Sequence, residues 1–323
     1  EYYKEIFKNK TLNLTELFDL CQSNSEHSRH WFFRGRYLNT DDETKLDESL
    51  FKKVKNTLDK NSNSLVAFSD NSSVIKGFET KIGRYDTSNR FVLDNKTMNP
   101  VLTAETHNFP TLICPFEGAS TGVGGRIRDN HSTGRGALLG QSLAGYCVGD
   151  IHREEPLFDT PYQSPSDMLV EASNGASDYG NKIGEPIVGG FTRSIGKIDT
   201  RDFDKHYEYL KPIMFSAGIG SISSENVFKE LPAENDLVIR LGGPAYKIGL
   251  GGGFNSSIDN TSKFTKQSRD AVQRGDPQME NKLNRVIRYL SKLEPNPIKS
   301  IHDQGAGGNG NVLKEIIEDK IEI

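Results

Sequence analysis

Apolar positions recur along the chain at two spacings, and each spacing predicts a type of element. Leu46, Leu50, Phe51, Val54 and Leu58 stand among charged neighbours over residues 42–59, the period of an amphipathic helix with one buried stripe. A second helical run covers residues 279–293, and a third covers residues 312–317. Asn13 precedes Glu16 by three positions and is followed by Leu17, Phe18 and Leu20, so a reciprocally capped helix is expected over residues 13–21. A short helix is expected to begin near Ser25. Apolar runs at residues 65–68, 101–104, 213–215, 237–241 and 298–301 are strand-like, and residues 61–64 and 69–73 are polar loops. Strands interleaved with helices predict a mixed α/β architecture. The turn at residues 230–236, with Glu230, Pro232, Glu234 and Asn235, is the expected domain boundary.

Length and composition sharpen this picture. A chain of 323 residues exceeds the usual single domain, so two domains are expected. Glu1 in place of an initiator Met, and an end at Ile323 within a helical run, give the expectation of a piece of a longer polypeptide. A net charge of -4 lacks the basic footprint of a nucleic-acid reader. No apolar run approaches the roughly 20 residues that cross a bilayer, so no membrane partner and a soluble, cytoplasmic enzyme are expected. Cys21, Cys114 and Cys147 have no metal-ligand spacing and are expected to be reduced thiols.

Glycine brings in the chemistry. The 31 glycines cluster at residues 118–125, at Gly189 and Gly190, at Gly242 and Gly243, and at residues 249–253 and 305–310. One such cluster is as well explained by tight turns and close packing, but five favour backbone amides approaching phosphate. In Gly118, Ala119, Ser120, Thr121, Gly122, Val123, Gly124, Gly125, Arg126, Ile127, Arg128 and Asp129, a glycine loop is expected to gather amide N–H groups into an anion nest, with hydroxyls and two arginines beside it. No Gly-Lys-Ser/Thr follows, so this is not a Walker A loop. His107 stands just past an apolar strand, where α/β enzymes place reactive side chains, and can move a proton near neutral pH. Glu105, Asp129 and Asp303 are hard oxygen donors of the kind Mg²⁺ takes while sharing a substrate's phosphates, though each alone is also an ordinary surface charge or helix cap. His27 lies among Glu26, Arg29, His30 and Arg34, beside Trp31, Phe32 and Phe33, a polar set costly to bury without function.

Residues 25–30, 105–110, 118–129, 171–181, 211–216, 249–253, 271–277 and 302–308, in this order, resemble the large, single-chain, eukaryote-like formylglycinamide ribonucleotide amidotransferase family. The resemblance covers nearly the whole chain. It implies an ATP-dependent ligase that makes formylglycinamidine ribonucleotide from formylglycinamide ribonucleotide, with Mg²⁺ and with ammonia from a glutaminase domain of the same polypeptide. It also implies the aminoimidazole ribonucleotide synthetase-like α/β fold, in which residues 1–40 end a helical linker domain, 41–229 form the first N-terminal domain and 230–323 open the first C-terminal domain. A second synthetase-like half and the glutaminase lie outside these residues. By the same resemblance, residues 118–129 are the ATP-binding loop, and Gly189, Gly190 and Phe191 are a second nucleotide contact on the turn after residue 188. His107 and His27 are then the active-site histidines. Phe109, Ser28 and Trp31 depart from bacterial members, which carry His, Cys and Lys there. Two other readings stand beside this one: a different ATP-dependent enzyme of the same fold, such as an aminoimidazole ribonucleotide synthetase, selenophosphate synthetase or thiamine monophosphate kinase, or a non-catalytic scaffold half of the same amidotransferase.

Overall fold

The computed structural model describes residues 5–23, 30–41, 48–60, 63–86, 88–153, 162–244, 246, 248–249, 251–257, 266–305 and 308–317. The reciprocal cap forms as expected: Asn13 N donates to Glu16 Oε2 and Glu16 N to Asn13 Oδ1, both at 2.9 Å, and starts α1 (Leu14–Ser23). After α2 (Trp31–Arg34), Ser49 Oγ accepts from Lys52 N at 3.2 Å and opens α3 (Leu50–Lys55), which tightens into a 3-10 turn at Asn56–Lys60. The helix expected over residues 42–59 is therefore shorter where it is described. Residues 42–47, and Ser25 with its expected helix start, lie outside the described residues.

Four strands follow, β1 (Ser64–Val66), β2 (Ser73–Ile75), β3 (Phe78–Tyr85) and β4 (Phe91–Thr106), and then α4 (Asn108–Ile113) and α5 (Pro115–His131). The chain continues through β5 (Leu138–Val148), α6 (Pro165–Ile183), β6 (Ile187–Ser194), a separate hairpin of β7 (Gly196–Asp199) and β8 (Asp202–Glu208), and β9 (Ile213–Ser223). Beyond it lie α7 (Gly252–Ser256), α8 (Lys266–Asp270), α9 (Pro277–Leu290) and α10 (Gly308–Ile317). Seven strands make one sheet in the order β1-β2-β4-β9-β5-β6, with β3 also on β4. All its pairs are antiparallel except β5 with β6.

One face of this sheet carries the core. Along β9, Met214, Ser216, Gly218, Gly220 and Ile222 are buried while the residues between them are more open, the period of two that separates the faces of a strand. Ala119, Val123 and Ile127 recur every four residues on α5 and pack with Ala172, Ala176 and Tyr179 of α6, with Met214, and with Ala144, Tyr146 and Val148 of β5. Burying each such Val or Ile contributes about 1.5–3 kcal/mol. Ser164 caps α6, its Oγ accepting from Asp167 N at 3.2 Å, and Gly184 ends it at φ 88, a left-handed C-cap that glycine adopts without strain.

Residues 118–129 correct the sequence reading. They are not a loop but the interior of α5, so most of their amide N–H groups close helical hydrogen bonds and no nest forms. The glycines serve close packing instead. A Cβ on Gly118 would stand 2.3 Å from the Pro110 carbonyl carbon, and one on Gly175 of α6 would stand 2.0 Å from the Phe116 carbonyl oxygen. Two further expectations fail. Residues 237–241 and 298–301 are not strands, and Leu237, Val238 and Ile239 are exposed. Among the described residues no helix is long and apolar enough to cross a membrane.

Candidate active site

His107 follows the last residue of β4 and precedes the first of α4. Its backbone N donates to Met214 O at 2.9 Å, which ties this corner to β9. Its ring Nδ1 lies 2.5 Å from the Gly118 carbonyl oxygen. A carbonyl only accepts, so Nδ1 carries a hydrogen. Gly122 keeps this ring in place by being small: a Cβ there would stand 2.9 Å from His107 Cβ.

Two residues earlier, Glu105 lies on the side of β4 shared with Val101 and Thr103, a period of two. Its carboxylate interacts with those of Asp129, on α5, and Asp303, on the segment after α9. The structure thus gathers three carboxylates from three distant stretches of chain. Burial, then the charges of Asp303 and Glu105, push the Asp129 carboxyl up to about 8, against the pull of Asn71 and Arg128. Glu105 is raised in the same sense by burial and by Asp303. Arg128 is the positive charge beside this group, and the carboxylate oxygens are the donors that a hard divalent cation prefers. As they lie, no three His, Cys, Asp or Glu groups among the described residues are close enough to hold a metal ion. The fit is one of donor type and charge.

The remaining expected nucleotide residues are sorted by burial. Gly118, Ala119, Ser120, Thr121, Gly122, Val123, Gly124, Arg126 and Ile127 are buried. Ser120 Oγ donates to Phe116 O and Gly175 O, each at 2.8 Å, and Thr121 Oγ1 to Glu117 O at 2.8 Å, so the hydroxyls do not face a phosphate. Arg126 is sealed beneath the sheet in a two-pronged pair with Glu185, both fully buried, and Gly218 leaves room for its guanidinium. These placements overturn the expected phosphate role of Arg126 and of the hydroxyls. Gly125, Arg128 and Asp129 remain partly open. Arg128 sits between Glu280 Oε2 at 4.0 Å and Asp303 Oδ2 at 3.9 Å. Burial opposes its charge, but the charges of Glu280 and Asp303 outweigh it and raise its pKa. Glu280 accepts from the Tyr179 hydroxyl, which links α6 to α9.

Gly189, Gly190 and Phe191 lie within β6 and not on a turn, opposite Leu143, Ala144 and Gly145 of β5. A Cβ on Gly190 would stand 1.7 Å from the Ala144 carbonyl oxygen. Phe191 packs over Gly145, 6.0 Å from the Phe215 ring, on the face opposite Met214 and α5. It therefore does not meet the carboxylates. His27 lies outside the described residues. Of the cysteines, Cys114 and Cys147 are free thiols.

The sequence reading passes over Asn71. Its Nδ2 donates to Asp303 Oδ1 at 2.8 Å and to Asp129 Oδ1 at 3.4 Å. It stands in a polar loop between two short strands, and the only available signal is an Asp-Asn pair at a strand connection, a common turn element.

Residues 233–323 match the family described as AIR synthase related protein, C-terminal domain. The chain is 49% identical over 98% of its length to the phosphoribosylformylglycinamidine synthases of Dictyostelium discoideum and Homo sapiens, and covers 24% and 25% of them. It is 46% identical to that of Drosophila melanogaster over 98% of its length, covering 24% of it. Among solved structures, T. maritima PurL complexed with FGAR aligns with a TM-score of 0.60 and 19% identity over 98% of this chain and 41% of that one. T. maritima PurL complexed with ATP aligns at 0.52 with 17% identity, over 98% of this chain and 39% of that one. These two share the fold, an AIR synthase-like α/β arrangement. The chain belongs to the phosphoribosylformylglycinamidine synthase family and spans about a quarter of the length of the curated relatives it matches.

Proposed function

We propose that this chain carries a catalytic portion of the ligase half of an ATP-dependent amidotransferase acting on formylglycinamide ribonucleotide. The carrying observation is the gathering of Glu105, Asp129 and Asp303, with His107 two residues beyond Glu105 at the end of the same strand. Relatives named for this synthase, and folds solved with FGAR and with ATP, support the substrate assignment. In the reaction, the γ-phosphoryl group of ATP passes to the amide oxygen and ADP leaves. Ammonia then attacks the amide carbon as the bond to the phosphorylated oxygen breaks, releasing phosphate. His107 Nε2 takes the proton that ammonia loses. Its Nδ1 hydrogen, held by the Gly118 carbonyl, keeps the ring in the tautomer that can do so. Glu105, Asp129 and Asp303 are the residues that would hold Mg²⁺, which would supply charge to offset that of the phosphates.

The nucleotide meets the open face of α5 through Gly125, Arg128 and Asp129; Gly189, Gly190 and Phe191 sit within β6, with Phe191 across the sheet, and are not among its contacts. His27 contributes a second histidine. Ammonia comes from a glutaminase domain of the longer cytoplasmic polypeptide, and a second synthetase-like half covers the open sheet face. Residues 1–40, 41–229 and 230–323 are the end of a linker domain, the first N-terminal domain and the opening of the first C-terminal domain. The test is ligation by the full-length protein with an ammonium salt in place of glutamine. His107→Ala is expected to lower the rate by about 10²–10⁴-fold while glutamine hydrolysis persists. Wild-type ligation would leave this chain as a scaffold.

A further inference from the structure

We propose that Asn71 is a positioning residue that sets the separation of Asp129 and Asp303, and that Lys229 fixes which way its amide faces. The inference rests on reading those carboxylates as cation ligands. Asp129 belongs to α5 and Asp303 to the stretch between α9 and α10, and no secondary-structure element holds both. Asn71 Nδ2 reaches Oδ1 of each, at 3.4 and 2.8 Å.

The direction of these bonds follows from chemistry. An amide's oxygen and nitrogen are told apart by their partners. Asn71 Oδ1 lies 3.3 Å from Lys229 Nζ, and an ammonium donates but never accepts. The oxygen therefore faces Lys229 and the NH₂ faces the two carboxylates. Lys229 is in turn held by Asp70 Oδ1 at 2.7 Å, while Asp70 Oδ2 accepts from Gly134 N at 2.9 Å in the turn that ends α5. Lys229 Nζ also lies 3.5 Å from His302 Nδ1. That nitrogen must accept, so the hydrogen sits on Nε2, 2.8 Å from Ser300 Oγ. One ammonium thus orders Asn71 and the segment just before Asp303.

A neutral amide suits this place. Its two N–H groups draw the anions to a set spacing without cancelling their charge, and it uses only Oδ1 of each; Oδ2 of Asp303 lies 3.9 Å from Arg128 Nε, so a bound cation would share that oxygen with Arg128. A lysine or arginine at position 71 would bring the positive charge that the cation brings. Groups that orient metal ligands in this way typically govern metal affinity by 10–100-fold.

The test titrates full-length protein with Mn²⁺ at a fixed, saturating concentration of a non-hydrolysable ATP analogue, reading free Mn²⁺ by electron paramagnetic resonance. Melting temperatures are taken without metal, because a purely structural tie would move those and not the affinity. Asn71→Leu is expected to weaken Mn²⁺ binding by about tenfold or more, with a smaller loss in Asn71→Ser, which keeps one donor and carries the test if the leucine variant fails to fold. Wild-type affinity in the Asn71 variants, with binding lost in Asp129→Asn, overturns the positioning role and leaves the carboxylate reading intact. Wild-type affinity in Asp129→Asn removes that reading and the inference with it.

Discussion

At the scale of single residues, burial decides what a titratable group can do. Arg126 looks in sequence like a phosphate ligand, yet it lies fully buried against Glu185, where removal of either partner would strand a charge in the interior. His131 is the counterpart held neutral. It is 2% exposed, and its Nε2 donates to Asn284 Oδ1 at 3.1 Å. Burial first, then the charges of Arg126 and Arg128, hold its pKa down at about 4 against an ordinary 6.5, although the Asn284 bond pulls the other way. The folded protein refuses a proton that the unfolded chain accepts below 6.5. This contribution to stability is therefore complete above that value and is lost as pH falls toward 4. Between pH 7 and 4.5 the loss amounts to about 2–3 kcal/mol by the linkage relation. Denaturant midpoints of wild type and His131→Gln at the two pH values check it: wild type should lose that much more than the variant, and equal losses would refute the account.

At the scale of elements, α5 shows how one residue type supports opposite readings. Glycine in a helix interior costs about 1 kcal/mol relative to alanine, so four glycines in this helix look like a loop. The sign depends on what the missing Cβ would meet. At Gly118 it would meet the Pro110 backbone at 2.3 Å, whereas at Gly125 the nearest atom is Arg128 NH2 at 3.5 Å, an ordinary contact. Gly118→Ala should destabilise by about 1–3 kcal/mol, and Gly125→Ala should stabilise by up to about 1 kcal/mol. Urea unfolding of the two variants reads both signs, and a shift in the same direction would exclude close packing as the reason for the cluster. The elements that were legible in sequence owe it to local signals: the Asn13–Glu16 cap, the strand at residues 101–104 inside β4, and α9 with its Asp276 cap and Pro277. The carboxylates Glu105, Asp129 and Asp303 could be named as candidates because their chemistry is intrinsic. That a strand end, a helix and the stretch after α9 would bring them together, with Asn71 between two of them, depends on contacts across 58 and 232 residues, for which a local pattern carries no signal.

At the scale of the whole molecule, the described residues leave apolar surface that they do not cover themselves. The sheet face away from α5 and α6 exposes Leu102, Leu143, Phe191 and Ile219. Residues 237–241, strand-like by their Leu, Val and Ile content, are not part of any sheet among the described residues. An unpaired apolar strand is an adhesive edge that natural proteins cover. The chain spans about a quarter of its relatives, and residues 237–241 fall within the stretch matching the C-terminal domain family, so in the proposed full-length protein a partner strand is expected. Pairing would close amides 237–241 into a ladder, while Glu234 and Asn235 of the preceding turn stay exposed to solvent. Hydrogen exchange on the full-length protein should then find the amides of residues 237–241 slower than those of the turn by about 100-fold or more. Equal, fast exchange would mean that this run stays unpaired even in the full-length protein, and that its run of Leu, Val and Ile serves side-chain packing against another surface instead of a sheet.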